Sequence, residues 1–246
     1  MEFEVDLNCD LGEGLGNEAE LMPYLSSCNI ACGGHAGDEE TLREVLRLAR
    51  KYNVKAGAHP SYPDRENFGR ISMVIAPDQL KASIQEQVEL FLRLAEQEDV
   101  PVHHIKPHGA LYNDIAKGQK TAEIFLKAIE PYKQQSMLYL PCGSKAAELA
   151  RKRGFRLMLE AFGDRNYNAD LSLVSRKDNH ALITEPKAVL HHMLRMIRSG
   201  EVLTVNGETV KIKPNTFCIH GDTPSALQIL VYLSTEFPKH HIRIKK

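Results

Sequence analysis

Asp6, Asn8 and Asp10 stand two apart in "EVDLNCD", as do His104, Lys106 and His108 in "HHIKPH". The same spacing aligns Cys218, His220 and Asp222 in "CIHGD", and Glu160, Phe162 and Asp164 in "LEAFGD". His59 closes "VKAGAH" in phase with Lys55 and Gly57, and His35 follows Gly33 and Gly34 in "NIACGGHAGD". Residues two apart on an extended strand share a face. Carboxylates, imidazoles and an ammonium group gathered this way suit general acid–base catalysis, charge stabilisation at an oxygen, or metal binding. Asp10, His35 and His59, on successive strand ends, are candidate ligands for a divalent metal with open positions for water.

Polar groups at every second position are costly on a dry face. Their density toward the C-terminal ends of the strands predicts one shared cavity, where parallel α/β folds carry their sites. A single such residue is commonly a cap or a packing group. Asp38 reads as a helix N-cap, Asp64, Arg65 and Asn67 as surface loop residues, and Cys142 as a buried thiol. His103, His191, His192, His240 and His241 read as packing or solvent-facing residues. Those roles account poorly for in-phase ionisable groups at five or more strand ends.

The elements that must position these groups are legible. Seven strand-like runs, "FEVDLNC", "CNIAC", "VKAGAH", "VHHIKPH", "SMLYLPC", "RLMLEAF" and "TFCIHGD", alternate with helical patterns over 38–52, 77–97, 122–129, 144–153, 186–199 and 223–236. Pro77 and Pro186 suit first helical positions, and Asp38 with Glu39 and Glu40 suits a helix start. Strand–helix alternation predicts an α/β fold with a parallel sheet and right-handed crossovers. Asn206-Gly207 between alternating residues predicts a type I′ β-hairpin inserted over 201–213. No linker or composition shift divides the chain, so residues 1–246 read as one domain.

Composition excludes several partners. With 31 basic and 32 acidic residues the net charge is −1, which argues against nucleic acid or an anionic membrane surface. The basic end "KHHIRIKK" reads as a solvated tail or edge strand. "MEFEVDLN" lacks the features of a signal peptide, and no apolar run approaches the ~18 residues of a membrane span. Five cysteines without a C-x-x-C pair predict reduced thiols in a cytoplasmic enzyme. There is no P-loop, H-E-x-x-H or G-x-S-x-G sequence. "GEGLGN" lacks the third glycine of a dinucleotide fingerprint.

Six segments, "DLNCDLGEG", "NIACGGHAGD", "GAHPSYPDRENFGR", "KPHGALYN", "FGDRNY" and "CIHGD", together resemble the LamB/YcsF family, in its order from Asp6 to Asp222. The resemblance implies a seven-stranded parallel β/α barrel like that of glycoside hydrolases and polysaccharide deacetylases. It also implies the activity of the A subunit of an ATP-dependent 5-oxoprolinase, converting 5-oxo-L-proline, ATP and water to L-glutamate, ADP and phosphate with partner subunits B and C. The chain departs from the family pattern at Gly163, where Ala is common, and at Leu171 and His180, where Gly is usual.

On this resemblance Asp10 is the expected general base or metal ligand, with His35 and His59 beside it. Lys106 and His108 would stabilise charge developing on oxygen, and Arg165 would clamp the substrate carboxylate. Asn8, Tyr112, Asp164, Tyr167, His220 and Asp222 complete the expected substrate site. ATP is expected mainly on the partners or at a shared interface, since no nucleotide motif is present. Two other readings fit the same residues: a metal-dependent amide or carbohydrate deacetylase acting alone, and a non-catalytic barrel that binds a small acid and regulates its partners.

Overall fold

The computed structural model describes residues 2–246. Its strands in chain order are β1 (Phe3–Leu11), β2 (Ser27–Ala31), β3 (Lys55–His59), β4 (Val102–Ile105), β5 (Met137–Pro141), β6 (Leu157–Phe162), β7 (Glu201–Leu203), β8 (Thr209–Lys211), β9 (Thr216–Cys218) and β10 (Ile242–Ile244). The helices are α1 (Glu18–Leu21), α2 (Glu39–Tyr52), α3 (Pro77–Gln97), α4 (Gly109–Lys117), α5 (Gln119–Ile129), α6 (Lys145–Lys152), α7 (Pro186–Ser199) and α8 (Ala226–Glu236).

Strands β1-β2-β3-β4-β5-β6-β9 pair in parallel, and β9 returns to β1, closing a seven-stranded barrel. Helices cover its outside, as parallel sheets require. β10 is an edge strand in the basic C-terminal stretch and extends the pairing beside the start of β1. The expected helix starts are present: the Asp38 carboxylate accepts from Thr41 N, and Pro77 and Pro186 open α3 and α7. α4 was not anticipated. No helix among the described residues is long and apolar enough to cross a membrane.

The β7–β8 hairpin lies where the Asn-Gly signal put it, but its turn differs from type I′. Gly207 takes φ 81 while Asn206 does not adopt a positive φ. Gly207 N donates to Thr204 O and Thr204 N to Glu208 O, both at 2.9 Å. This is a three-residue loop with a glycine bulge, an alternative that keeps the right-handed strand twist.

Alternation along the strands separates an apolar outer face from a polar lumen. Leu7, Cys9, Cys28, Ile30, Ala56, Ala58, Ile105, Leu140 and Ala161 join the buried core that includes the α2 and α3 side chains. Asp6, Asn8, Asn29 and His104 are also buried, and each finds hydrogen-bond partners within the lumen. Asp6 accepts from Ser27 and Thr216, Asn29 Nδ2 donates to Asn8 Oδ1, and Asn29 Oδ1 accepts from His104 Nε2 at 2.7 Å. Thus in-phase polar residues do not all reach a cavity. The lower ones form a hydrogen-bonded plug, which removes the cost of burying them.

Gly57 is part of that plug. A Cβ there would fall 2.4 Å from three atoms of the His104 ring. The ring is stacked on Tyr139 at 3.9 Å and cannot retreat without losing its bond to Asn29. Gly57→Ala is therefore expected to destabilise the fold by about 1–3 kcal/mol, the usual cost of overpacking. Denaturant unfolding measures this, and an unchanged midpoint would show that the lumen can yield.

Candidate active site

At the C-terminal end of the barrel the lumen opens into a cavity of about 640 Å³, a size suited to a small organic ligand. Of the expected site residues, Asp10, His59, Lys106, His108, Tyr112, Arg165, His220 and Asp222 line it. Asn8, His35, Asp164 and Tyr167 do not. Asn8 lies below, giving Nδ2 to Glu160 at 2.9 Å and to Thr216 at 2.7 Å. Asp164 stands behind His220, and the Tyr167 hydroxyl accepts from Phe162 N at 2.7 Å. His35 stacks flat against His108, ring centroids 3.6 Å apart. These four can act on the cavity only through the residues they hold.

Lys106 is the pivot of the floor. Its Nζ lies 2.8 Å from Asp10 Oδ1 and 2.9 Å from Glu160 Oε1, with side chains almost wholly shielded. Burial works against the ammonium, but Asp10 and the other acidic groups around it outweigh burial and hold its pKa well above the ordinary value. Asp10 shows the complementary balance. Burial disfavours its charge, yet the Lys106 ammonium against it prevails and its carboxyl is held well below the usual carboxylate range. Asn29 adds a bond at 2.7 Å to the same oxygen that meets Lys106, leaving Oδ2 3.4 Å from His59 Nε2. The Tyr112 hydroxyl ties down the far oxygen of Glu160 at 2.7 Å.

Beside Asp10, His220 at the end of the neighbouring strand makes a second unit. Its Nδ1 is 3.0 Å from both Asp164 oxygens, and its ring lies against Phe162. Burial works against ionisation of Asp164, but His220 and Thr223 outweigh it and hold the carboxyl below its ordinary value. A carboxylate accepts only, so Nδ1 carries the proton and Nε2 is left for the cavity. Donor atoms of Asp10, Cys218 and His220 lie within 4.8 Å of one another. Cys218 is a thiol here, since burial pushes its pKa well above the ordinary value.

Sequence reasoning missed Glu13, Arg70 and Arg176. Gly12 and Gly14 take φ 73 and 82, a turn that folds Glu13 back over the barrel end. Glu13 Oε1 reaches His35 Nε2 at 3.1 Å and His108 Nδ1 at 3.3 Å. Burial, then the nearby Asp10, push its pKa well above the ordinary carboxylate value. The only signal in the sequence was the pair of glycines around an acid. Arg70 and Arg176 come from two different loops, and both pair with Asp222 at the cavity mouth. Arg165, the expected clamp, gives Nε to Ala181 O and Nη2 to Val174 O, so it also braces the loop from 165 to 182. Burial pushes its pKa down to about 10, which leaves it charged at neutral pH. In that loop Leu171 adopts φ 64, the backbone that a glycine in its place would take without strain.

The expected metal set, Asp10, His35 and His59, is not the group that the fold gathers most closely. Asp10 joins Cys218 and His220, whereas His35 and His59 join Glu13 and His108.

Residues 5–246 match the LamB/YcsF family. A protein of Shouchella clausii, named as the A subunit of 5-oxoprolinase, is 40% identical, over 98% of this chain and 97% of that one. A solved lactam utilization protein of Thermus thermophilus superposes with a TM-score of 0.89 at 33% identity, covering 99% of each chain. A family 4 carbohydrate esterase of Bacillus subtilis shares the fold alone, with a TM-score of 0.50 at 11% identity over 99% of this chain and 78% of that one. The barrel, the order of its motifs and these similarities agree, and the chain belongs to the LamB/YcsF family.

Proposed function

We propose that this chain is the ring-opening subunit of an ATP-dependent 5-oxoprolinase, acting on 5-oxo-L-proline with partner subunits B and C. The observation that carries this reading is the side-by-side placement, in one cavity, of an ionised Asp10 and a His220 oriented by Asp164, their donor atoms within 4.8 Å of each other. The printed names of the relatives, a lactam utilization protein and a 5-oxoprolinase subunit, support the substrate class.

A γ-lactam resists hydrolysis because its nitrogen is a poor leaving group and its carbonyl a poor electrophile. Transfer of the γ-phosphoryl group of ATP to the lactam oxygen, releasing ADP, would supply the electrophile. Asp10 then takes a proton from a water that adds to the activated carbon, and the C–N bond breaks as His220, entering the step as an imidazolium held by Asp164, gives its Nε2 proton to the ring nitrogen. The resulting acyl phosphate takes a second water, releasing phosphate and leaving the γ-carboxylate of glutamate. Each proton transfer of this kind contributes roughly 10²–10⁴-fold. Arg176 and Arg70, resting on Asp222, are placed to exchange that carboxylate for the one on the substrate, with Arg165 behind them. ATP is assigned to the partners or to an interface with them.

The test is glutamate release from 5-oxoproline by the purified chain, with and without subunits B and C, and with and without ATP. Glutamate is expected only when all components are present. Equal release by B and C without this chain would overturn the proposal. The Glu13–histidine cluster favours one rival, a metal-dependent amide hydrolase acting alone. Ring opening without partners or ATP, abolished by a chelator, would establish that rival instead.

A further inference from the structure

Two hydrogen bonds fix the tautomers of His59 and His108. His59 Nδ1 lies 2.7 Å from Lys106 O, and His108 Nε2 lies 3.0 Å from Phe68 O. A carbonyl oxygen can only accept, so each ring carries its proton on the outer side. The inner nitrogens, His59 Nε2 and His108 Nδ1, then face each other at 3.0 Å with both lone pairs directed inward. Their rings meet at 85°. Two bare lone pairs at that distance repel unless something positive lies between them.

Glu13 completes the set. Its Oε1 is 3.3 Å from His108 Nδ1 and 3.9 Å from His59 Nε2. Around a tetrahedral ion with bonds of about 2.0–2.2 Å, ligand atoms stand roughly 3.3–3.6 Å apart. The three separations of 3.0, 3.3 and 3.9 Å bracket that spacing. From these contacts we infer that His59, His108 and Glu13 bind a divalent transition-metal ion, with further coordination positions open to the cavity.

Two imidazoles and one carboxylate, with open positions, form a donor set of the kind that holds catalytic zinc. The imidazoles select against magnesium, which prefers oxygen ligands and its own waters. His35 is excluded as an in-plane partner of His108 because the two rings are parallel, with an interplanar angle of 1°. It supports the set from outside instead, through Nε2 to Glu13 at 3.1 Å. The carbonyls of Lys106 and Phe68 play the same supporting role for the two ligand rings. All three ligands line the cavity, so an ion there would face whatever the cavity holds.

The test uses the whole chain, stripped with a chelator, and needs no substrate. Zinc and cobalt are titrated by calorimetry, with magnesium as the contrasting ion. Equimolar zinc binding and a raised unfolding temperature are expected, with no comparable binding of magnesium. Bound cobalt should show the visible absorption of a four- or five-coordinate ion. Loss of a supporting group typically weakens a metal site 10–100-fold. Glu13→Gln and His59→Gln should therefore each weaken zinc binding by at least about 100-fold, and His35→Ala by less. Circular dichroism identifies any variant that fails to fold, and the wild-type titration stands without them. Absence of equimolar binding, as expected if a proton alone lies between the rings, would overturn the inference, as would undiminished affinity in both folded ligand variants. Zinc binding without glutamate release would instead count against the proposed reaction and leave the metal site standing.

Discussion

Asp10→Asn is expected to lower glutamate release by the assembled complex by roughly 10²–10⁴-fold, the contribution typical of a positioned general base. The substitution suits its surroundings. The amide oxygen can keep the bonds from Lys106 at 2.8 Å and Asn29 at 2.7 Å. The amide nitrogen would face His59 Nε2, which accepts because His59 donates its other nitrogen to Lys106 O. What is lost is a base. KM should change little, since the substrate carboxylate is assigned to Arg70 and Arg176 and not to Asp10. The wild-type acid limb should lie low, because Asp10 is held well below the usual carboxylate range and stays ionised until strongly acidic pH. Near-normal turnover by a folded Asp10→Asn complex would remove Asp10 from the chemistry.

The barrel was readable because each of its seven strands keeps one phase. Val5, Leu7 and Cys9 face the helices, while Asp6, Asn8 and Asp10 face inward, and both sets are buried. The helix starts were readable because a cap or a proline acts within one turn, as Asp38 does on Thr41. α4 escaped because it opens on Gly109, two residues after Pro107, and both residues ordinarily mark a loop. Depth along the lumen was not legible either. Asn8 and Asp10 are both polar and share strand and face, yet one repeat of the pleat separates the sealed plug from the open cavity. Nor could spacing reveal Glu13, Arg70 and Arg176, since all three reach the site from loops. Loop side chains are aimed by backbone turns, such as the left-handed Gly12 and Gly14, and not by a two-residue repeat. Leu171 marks the opposite case: a departure from a glycine pattern that the backbone did not follow, leaving leucine in a left-handed conformation.

Lys106→Met should have the broadest effect of any single change in the cavity, because it removes the one ammonium that separates two buried carboxylates, Asp10 and Glu160. Leaving buried charge uncompensated typically costs about 3–5 kcal/mol, so the unfolding midpoint at neutral pH should drop sharply. Turnover should fall with it, since Asp10 loses the charge that keeps it ionised, and the acid limb of any residual activity should move to higher pH. The dependence of stability on pH should also change. In the wild type, Asp10 has a depressed pKa and Lys106 a raised one. Asp10 therefore contributes stability above its unfolded pKa that is lost as pH falls through the folded value. Lys106 contributes stability below its unfolded pKa that is lost as pH rises through the folded value. Both contributions are intact across the neutral range. In Lys106→Met a proton is the only available substitute for the ammonium, so the variant should gain stability on going from about pH 7 to about pH 5, where the wild type gains none from this pair. Urea midpoints at the two pH values decide the matter. A variant that is as stable as the wild type at neutral pH, or that weakens on acidification, would show that the Asp10–Lys106–Glu160 array is not the electrostatic keystone of the cavity floor.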